Sequence, residues 1–428
     1  MRTTTAIRQR PALARHHIIA PSLRVADAAA ASVFAAARTR GPIARDTIAK
    51  VTQLSIATVN RQVTALLEAG VLRERADLAI SGAIGRPRVP VEVNHEPYLT
   101  LGLHIGARTT SIVATDLFGR TLDVVETPTP RGSQDAALAS LAGSARRYLS
   151  RWHRRRPLWV GVAAGGVVDG VAGHLDHARL GWSDAPVGPV LADALGLPVS
   201  MASHVDAMAG AELLLGVRRL RGADAAGRGG GLAAGQSPTS LYVYARETVG
   251  YALSIGGRVH SPASGPGTIA ALPAHSDLLG GGGLLESTVS DEAVLTAARK
   301  LRVVPAEGPA STLSAVLRAA RQGDQRAREL LGERARVLGE AVALLRDLLN
   351  PDDLVVGGQA FTEYPETMAQ VEQAFAARSV LAPRDIRVTA FGNRVQEAGA
   401  GVVSLGGIYA DPIGAMRRAL ARRPEATA

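Results

Sequence analysis

The 428 residues predict an α/β protein: a small helix-turn-helix head with a wing, followed by a two-lobed body made of two similar α/β halves around a central cleft. Three observations lead there. Charge is unevenly placed, with 14 Lys and Arg against 6 Asp and Glu up to Asn94, so that +8 of the formal +10 lies in the first fifth of the chain. The segment after Val25 reads as short helices separated by turn breaks. Beyond Asn94 a strand-turn-strand theme opens the body and returns after a glycine-rich run.

Composition bounds the rest. A hydrophobic fraction of 46% in a chain of this length can bury a sizeable core and implies more than one domain. Cysteine is absent, which excludes disulfides, thiolate catalysis and cysteine-ligated zinc. The first residues are basic and polar, and no uncharged apolar run reaches about 18 residues, so a soluble cytoplasmic protein with no membrane segment is expected. Residues 1–24 read as a basic flexible tail, 25–94 as the head and 95–428 as the body, with 222–238 as a glycine-rich surface loop.

In the head, an alanine-rich helix ends at Gly41-Pro42, a short helix covers Arg45 to Val51, and Ser55 can cap a helix running to Glu68, with Gly70 as its stop. Val59, Val63, Leu66 and Leu67 form its apolar stripe, while Ser55, Ala57, Thr58, Asn60, Arg61 and Thr64 lie nearer the other face. Small, amide and guanidinium side chains there can reach base edges and phosphates of a double-stranded operator. Val71–Glu74 and Val89–Val93 are expected to pair as a wing, whose tip carries Arg86 and Arg88 for a narrow minor groove. An ordinary helical hairpin packed on the body is the bland alternative.

In the body, three strands follow Tyr98, then a helix over Ala136 to Trp152, the strand "LWVGVAAGG" and the strand-to-helix segment "LPVSMASHVDAMAGAE". "TSLYVYARETVGYALSIGGRVH" repeats the opening meander. A long amphipathic helix with Leu330, Leu331, Val337, Leu338, Val342 and Leu345 on one face leads into a strand at Leu354 to Val356. The histidines show no repeated metal-ligand spacing, and His174 with His177 reads as a solvated cluster.

These segments resemble, in order and spacing, the ROK family of repressors and sugar kinases. The likeness rests on "LSIATVNRQVTALLEAGVL" and "GRPRVPVEVN" in the head, and on "LGLHIGARTTSIVATDLFG", "GVAAGGVVDG", "LPVSMASHVDAMAGAE", "SGPGTIA", "GGLLE" and "NPDDLVVGGQAF" in the body. The resemblance implies an actin-like duplicated body behind a winged helix-turn-helix. It also implies departures from the family's kinases. Where those carry an Asp-x-Gly-Gly-Thr loop for metal and phosphate, this chain has His104 to Arg108, and where they carry Asn-Asp, the aspartate acting as base, it has Ser203 and His204. Arg179, Thr268 and Ala271 replace sugar-binding positions, Glu286 is retained, and the family's zinc cysteines fall on Asp277, Leu279 and Leu284.

The expectation is a sequence-specific DNA-binding regulator, a repressor, whose kinase-like body is catalytically inactive and needs no cofactor or metal. It is expected to dimerise, since a two-fold protein matches two half-sites. A small-molecule effector, a sugar or anionic sugar derivative, would meet His104, Arg108, Arg179, Ser203, His204, Asp206, Thr268 and Glu286 in the cleft. An active ATP-dependent sugar kinase and a non-specific nucleic-acid scaffold are the alternatives.

Overall fold

Helix ends in the head follow the sequence signals closely. Helix α1 spans Ala29–Arg40, α2 Arg45–Thr52 and α3 Ile56–Glu68, and the Ser55 hydroxyl accepts the Thr58 N–H to start α3. Gly70 stops it at φ +77°, a left-handed backbone that glycine adopts without strain. Strands β1, Leu72–Glu74, and β2, Val91–Val93, then pair antiparallel with Arg73 opposite Glu92. Ile43 adds a bridge to Val91, so the loop before α2 joins the same small sheet. Val33, Phe34, Ile48, Val59, Val63, Leu66, Val71, Val91 and Val93 are all buried.

This computed structural model describes residues 17–78, 89–216, 238–262, 264–382 and 384–420. They fall into two compact units. One takes the chain up to Ser22, Ala26–Ala202 and everything from Val403, and so holds the head and the first lobe; the other takes Leu23–Val25 and Ser203–Val402.

The first lobe carries β3 (Tyr98–Ile105), β4 (Thr109–Thr115), β5 (Thr121–Pro128), α4 (Gln134–Leu149), β6 (Arg156–Ala164), β7 (Val167–Asp169), β8 (His174–His177), β9 (Trp182–Ala185), α5 (Val187–Leu195) and β10 (Val199–Ser203). Its main sheet has the order β5-β4-β3-β6-β10, antiparallel across the meander and parallel between β3 and β6. Residues alternate between faces along a strand. Leu101, Leu103 and Ile105 therefore meet Leu138, Leu141 and Tyr148 of α4 and Leu191 of α5 in one apolar cluster.

The second lobe carries α6 (His204–Ala211), β11 (Ser240–Ala245), β12 (Val249–Ile255), β13 (Arg258–His260), β14 (Gly267–Thr268), α7 (Leu285–Val289), α8 (Asp291–Lys300), α9 (Leu313–Arg321), α10 (Gln325–Leu349), β15 (Asp353–Gly357), α11 (Gln359–Thr362), α12 (Met368–Arg378) and β16 (Arg387–Val388). Its sheet runs β13-β12-β11-β15-β16, with β14 against β12. The order matches that of the first lobe position for position: a meander, a parallel strand on the far side of its first strand, then one more. That is the duplication expected from the recurring meander. The apolar stripe of α10 is buried as the spacing predicts, with Val337, Leu338, Val342 and Leu345 against Leu241, Val243, Leu354 and Val356 of the sheet. Leu330 and Leu331 instead meet a smaller cluster with α8 and α9.

Helices α13, Val395–Ala410, and α14, Pro412–Leu420, close the chain. From Val403 onward they pack within the first unit. The Ser404 hydroxyl donates to Thr100 at 2.7 Å, and Tyr409 donates to the Leu117 carbonyl at 3.1 Å. The Arg38 guanidinium lies 4.2 Å from the centre of the Tyr409 ring, and Phe34 packs on the same ring, tying α1 of the head to α13.

Two expectations need correction. Residues 17–24 are not tail: Ile18 bridges Val199, Arg24 bridges Arg258 and Leu23 is buried, because the segment finds open strand edges to pair with. His174 and His177 are not a solvated cluster. His177 is buried on β8, which pushes its pKa down, and His174 bonds the Asp184 carboxylate. The glycine-rich run, apart from its last residue, and the wing tip with Arg86 and Arg88 lie outside the described residues. Among the described residues no helix is long and apolar enough to cross a membrane, and no group of His, Asp and Glu is arranged to hold a metal ion.

Candidate nucleic-acid interface and effector positions

The exposed face of α3 is short and chemically mixed. Ile56, Ala57, Asn60, Arg61, Thr64 and Glu68 are exposed, while Val59, Val63 and Leu66 face the head's core. Ser55 and Thr58 are engaged in the cap. The Ser55 hydroxyl donates to Thr58 Oγ1 at 2.9 Å and accepts the Thr58 N–H at 3.2 Å. They set where the face begins, leaving Ala57, Asn60, Arg61 and Thr64 to project from it. Replacing Ser55 by alanine should therefore cost about 1 kcal/mol of head stability, read as a lowered urea midpoint.

Ile56 was missed by the sequence reading. It is 50% exposed at the first position of α3, where an isoleucine has no core to fill. Spacing alone hides it: three and seven residues before Val59 and Val63, it reads as the start of their stripe, and only its place in the first turn of α3 leaves it exposed. An exposed branched side chain at that end suits the methyl group of thymine.

The head's charge is less available than its composition suggests. Arg73 binds Glu92 at 2.7 Å and Glu96 at 2.9 Å, Arg75 binds Glu92 at 3.0 Å and Asp77 at 2.6 Å, and Arg45 reaches Glu74 at 3.3 Å. These pairs are partly exposed and brace the root of the wing more than they stabilise the fold. Arg61 and Lys50 are exposed and make no ion pair among the described residues.

The effector positions divide between the units. In the first, His104 is buried on β3 and does not open to solvent, while Arg108 in the β3–β4 turn and Arg179 in the turn before β9 are exposed. The turn is stitched from within. Thr129 Oγ1 donates to the Gly106 carbonyl at 2.7 Å, contacts the Thr110 hydroxyl at 2.9 Å, and its N–H bonds the Arg108 carbonyl. Asp116 accepts the N–H groups of Phe118 and Arg120, Asp176 accepts the Asp184 N–H, and Asp184 bonds His174. Trp182 is core.

In the second unit, Ser203 caps α6 by accepting the Asp206 N–H at 3.2 Å. The His204 ring packs 5.1 Å from that of Tyr244, whose hydroxyl accepts from Gln396 at 2.8 Å. Gly357 and Gly358 end β15 against the rings of Tyr242 and Tyr244, so closely that a Cβ on either would collide with backbone or ring atoms. The glycine pair is thus accounted for by close packing. Thr268 and Glu286 converge on one residue: Thr268 donates to the Val249 carbonyl at 3.4 Å, and Glu286 accepts the Val249 N–H at 3.2 Å.

Asp206 is buried, and loss of water raises its carboxyl above the usual range, partly offset by the hydroxyls of Ser203 and Ser261 and by His260. A folded state that prefers the protonated acid gains stability below the unfolded pKa of about 3.9 and loses it as pH rises through the raised value. Asp206→Asn should therefore stabilise the chain at neutral pH and lose that advantage near pH 3, a difference readable by urea melts at both values.

A model of the ROK family matches residues 233–405. A transcriptional regulator of Mycobacterium tuberculosis (strain H37Rv) is 73% identical over 409 residues, covering 94% of this chain and 90% of the relative. The chain belongs to the ROK family. More distantly, the N-acetylglucosamine repressor of Escherichia coli O157:H7 is 22% identical over 338 residues, covering 74% of this chain and 77% of that protein. Among solved structures, a ROK family transcriptional regulator homologous to the E. coli MLC protein has the same fold, with TM-score 0.67, 21% identity and 90% of this chain and 98% of that one covered. A ROK glucokinase from Streptomyces griseus, solved with glucose and AMPPNP, aligns with TM-score 0.59 and 21% identity. It uses 99% of its own length but covers only 72% of this chain, so this ROK protein carries structure beyond a kinase of that size.

Proposed function

We propose that this ROK protein is a sequence-specific DNA-binding transcriptional regulator, a repressor, that reads its operator through a winged helix-turn-helix. The observation that carries the reading is the face of α3. Ala57, Asn60, Arg61 and Thr64 project together from a helix fixed by the Ser55 cap and packed on α1 and α2, with a two-stranded wing beside it. Asparagine suits adenine and arginine suits guanine in the major groove, and Ile56 suits a thymine methyl. Arg86 and Arg88 at the wing tip are assigned to the minor groove. Replacing both by alanine should weaken operator binding and lower the slope of log K against log salt by about 2, as measured by anisotropy across a salt series. An unchanged slope would remove them from the interface.

The body is proposed to serve as effector and dimerisation domain rather than as a kinase. The base position is His204 packed against Tyr244, the loop that should hold metal and phosphate carries buried His104 and exposed Arg108, and the paired glycines are covered by tyrosine rings. A coupled assay over a panel of hexoses should show no sugar-dependent ATP turnover; turnover would restore the kinase reading. A small effector of sugar or anionic sugar type is proposed from the relatives and from Arg108 and Arg179. Calorimetric titration with sugars, sugar phosphates and sugar acids tests it, and silence from all of them would count against it. A homodimer is proposed because one short recognition helix gives limited affinity.

A further inference from the structure

Residues 17–25 belong to both units before the chain enters α1. In the first, the Ile19 N–H donates to the Val199 carbonyl and the Val199 N–H to the His17 carbonyl, both at 2.9 Å, adding a parallel bridge outside β10. The Ser200 hydroxyl, itself accepting from the Trp159 indole, donates to the Ile19 carbonyl at 2.8 Å. Ile18 lies over Gly173 and Gly188, and the Ser22 carbonyl occupies the space a Cβ on Gly406 would need.

At Leu23 the pairing changes unit. The Val25 N–H donates to the Gly257 carbonyl at 2.8 Å and the Val259 N–H to the Leu23 carbonyl at 2.9 Å, framing an antiparallel bridge between Arg24 and Arg258 outside β13. Leu23 is buried, with Cδ2 only 2.8 Å from the Cβ position of Gly210 on α6. The chain then starts α1 at Ala29, and α1 packs through Phe34 and Arg38 on Tyr409 of the first unit.

We propose that residues 17–25 are the regulator's transmission strap: pairing with β10 and β13 ties the entry of the DNA-binding head to the state of both units of the body. The proposal rests on the DNA-binding reading above. The head is held to the first unit by α13, whereas its leading segment is hydrogen-bonded to the second. A shift of one unit against the other must therefore either break the β13 pairing or carry α1 with it. Strand pairing is discrete, either made or broken, which suits a two-state device. Coupling of this kind is reciprocal, so DNA binding must also change the strap.

The chain contains no cysteine, so Arg24→Cys with Arg258→Cys creates a single crosslink. The two positions form a non-hydrogen-bonded antiparallel pair, which brings Cα atoms to about 4.5 Å, within reach of a disulfide. The probe is a labelled duplex from upstream of the protein's own coding sequence, titrated by anisotropy at fixed salt. The oxidised form locks the strap, and Leu23→Asp releases it by placing a charge at a buried seat. The two should move operator affinity in opposite directions, each by about fivefold or more. In the unmodified protein, operator DNA should change hydrogen exchange at Val25 and Val259.

If the released variant loses its fold by circular dichroism, the oxidised and reduced forms of one protein decide the matter. Equal affinity within about twofold, with operator preference intact and exchange unchanged, makes the strap mere scaffold and overturns the proposal. Absence of operator preference in the unmodified protein would instead sink the DNA-binding reading, and the strap with it.

Discussion

Replacing Asn60 and Arg61 together by alanine is expected to weaken operator binding by about 100-fold or more while leaving the head folded. Both side chains are exposed on α3, and neither supports the core that Val59, Val63 and Leu66 build beneath them. A well-placed bidentate contact to a base is worth about 1–3 kcal/mol, and each 1.4 kcal/mol is tenfold in affinity. Non-specific binding should fall far less, because only one of the two carries charge. Anisotropy titrations against operator and scrambled duplexes check this directly. A double variant that keeps its operator preference would place α3 outside the major groove.

A comparable effect on stability is expected at Asp291. Its carboxylate meets Arg334 at 2.7 Å with both side chains almost wholly buried, and Arg334 also donates to the Val289 and Arg246 carbonyls. Arg246 lies 3.7 Å from the other carboxylate oxygen, an ion pair too long for a hydrogen bond. Asp291→Ala leaves a buried guanidinium without its counter-charge and should cost about 3–5 kcal/mol in urea unfolding. Adding Arg334→Met removes the stranded charge and should recover most of that loss, since an ion pair replaced by apolar groups is often neutral. A cost below about 1 kcal/mol for the single variant would mean that water reaches the guanidinium.

Much of this was legible in the sequence because it is encoded locally. Ser55, Gly70 and the spacing of Val59, Val63 and Leu66 fix α3 within a few residues of one another. The recurrence of a meander before Ala136 and again after Thr239 announced two sheets of the same strand order. What was not legible depends on partners far along the chain. The strap segment "HIIAPSLRV" has no helical or strand periodicity of its own, and its order comes from edges at Val199 and Arg258.

The same holds for charge. Arg73 and Arg75 counted toward a basic head, yet Glu92, opposite them across the wing, neutralises part of that field. His104 looked like a group facing a ligand because the motif it replaces does so in kinases, whereas here β3 carries it into a buried position.

The most direct test of the central claim is competition at fixed salt between the upstream duplex and a scrambled duplex of the same length and composition. A sequence-specific regulator should prefer its operator by about 1000-fold or more. Equal, weak binding to both, falling steeply and alike with salt, would contradict it and leave the head a non-specific basic module.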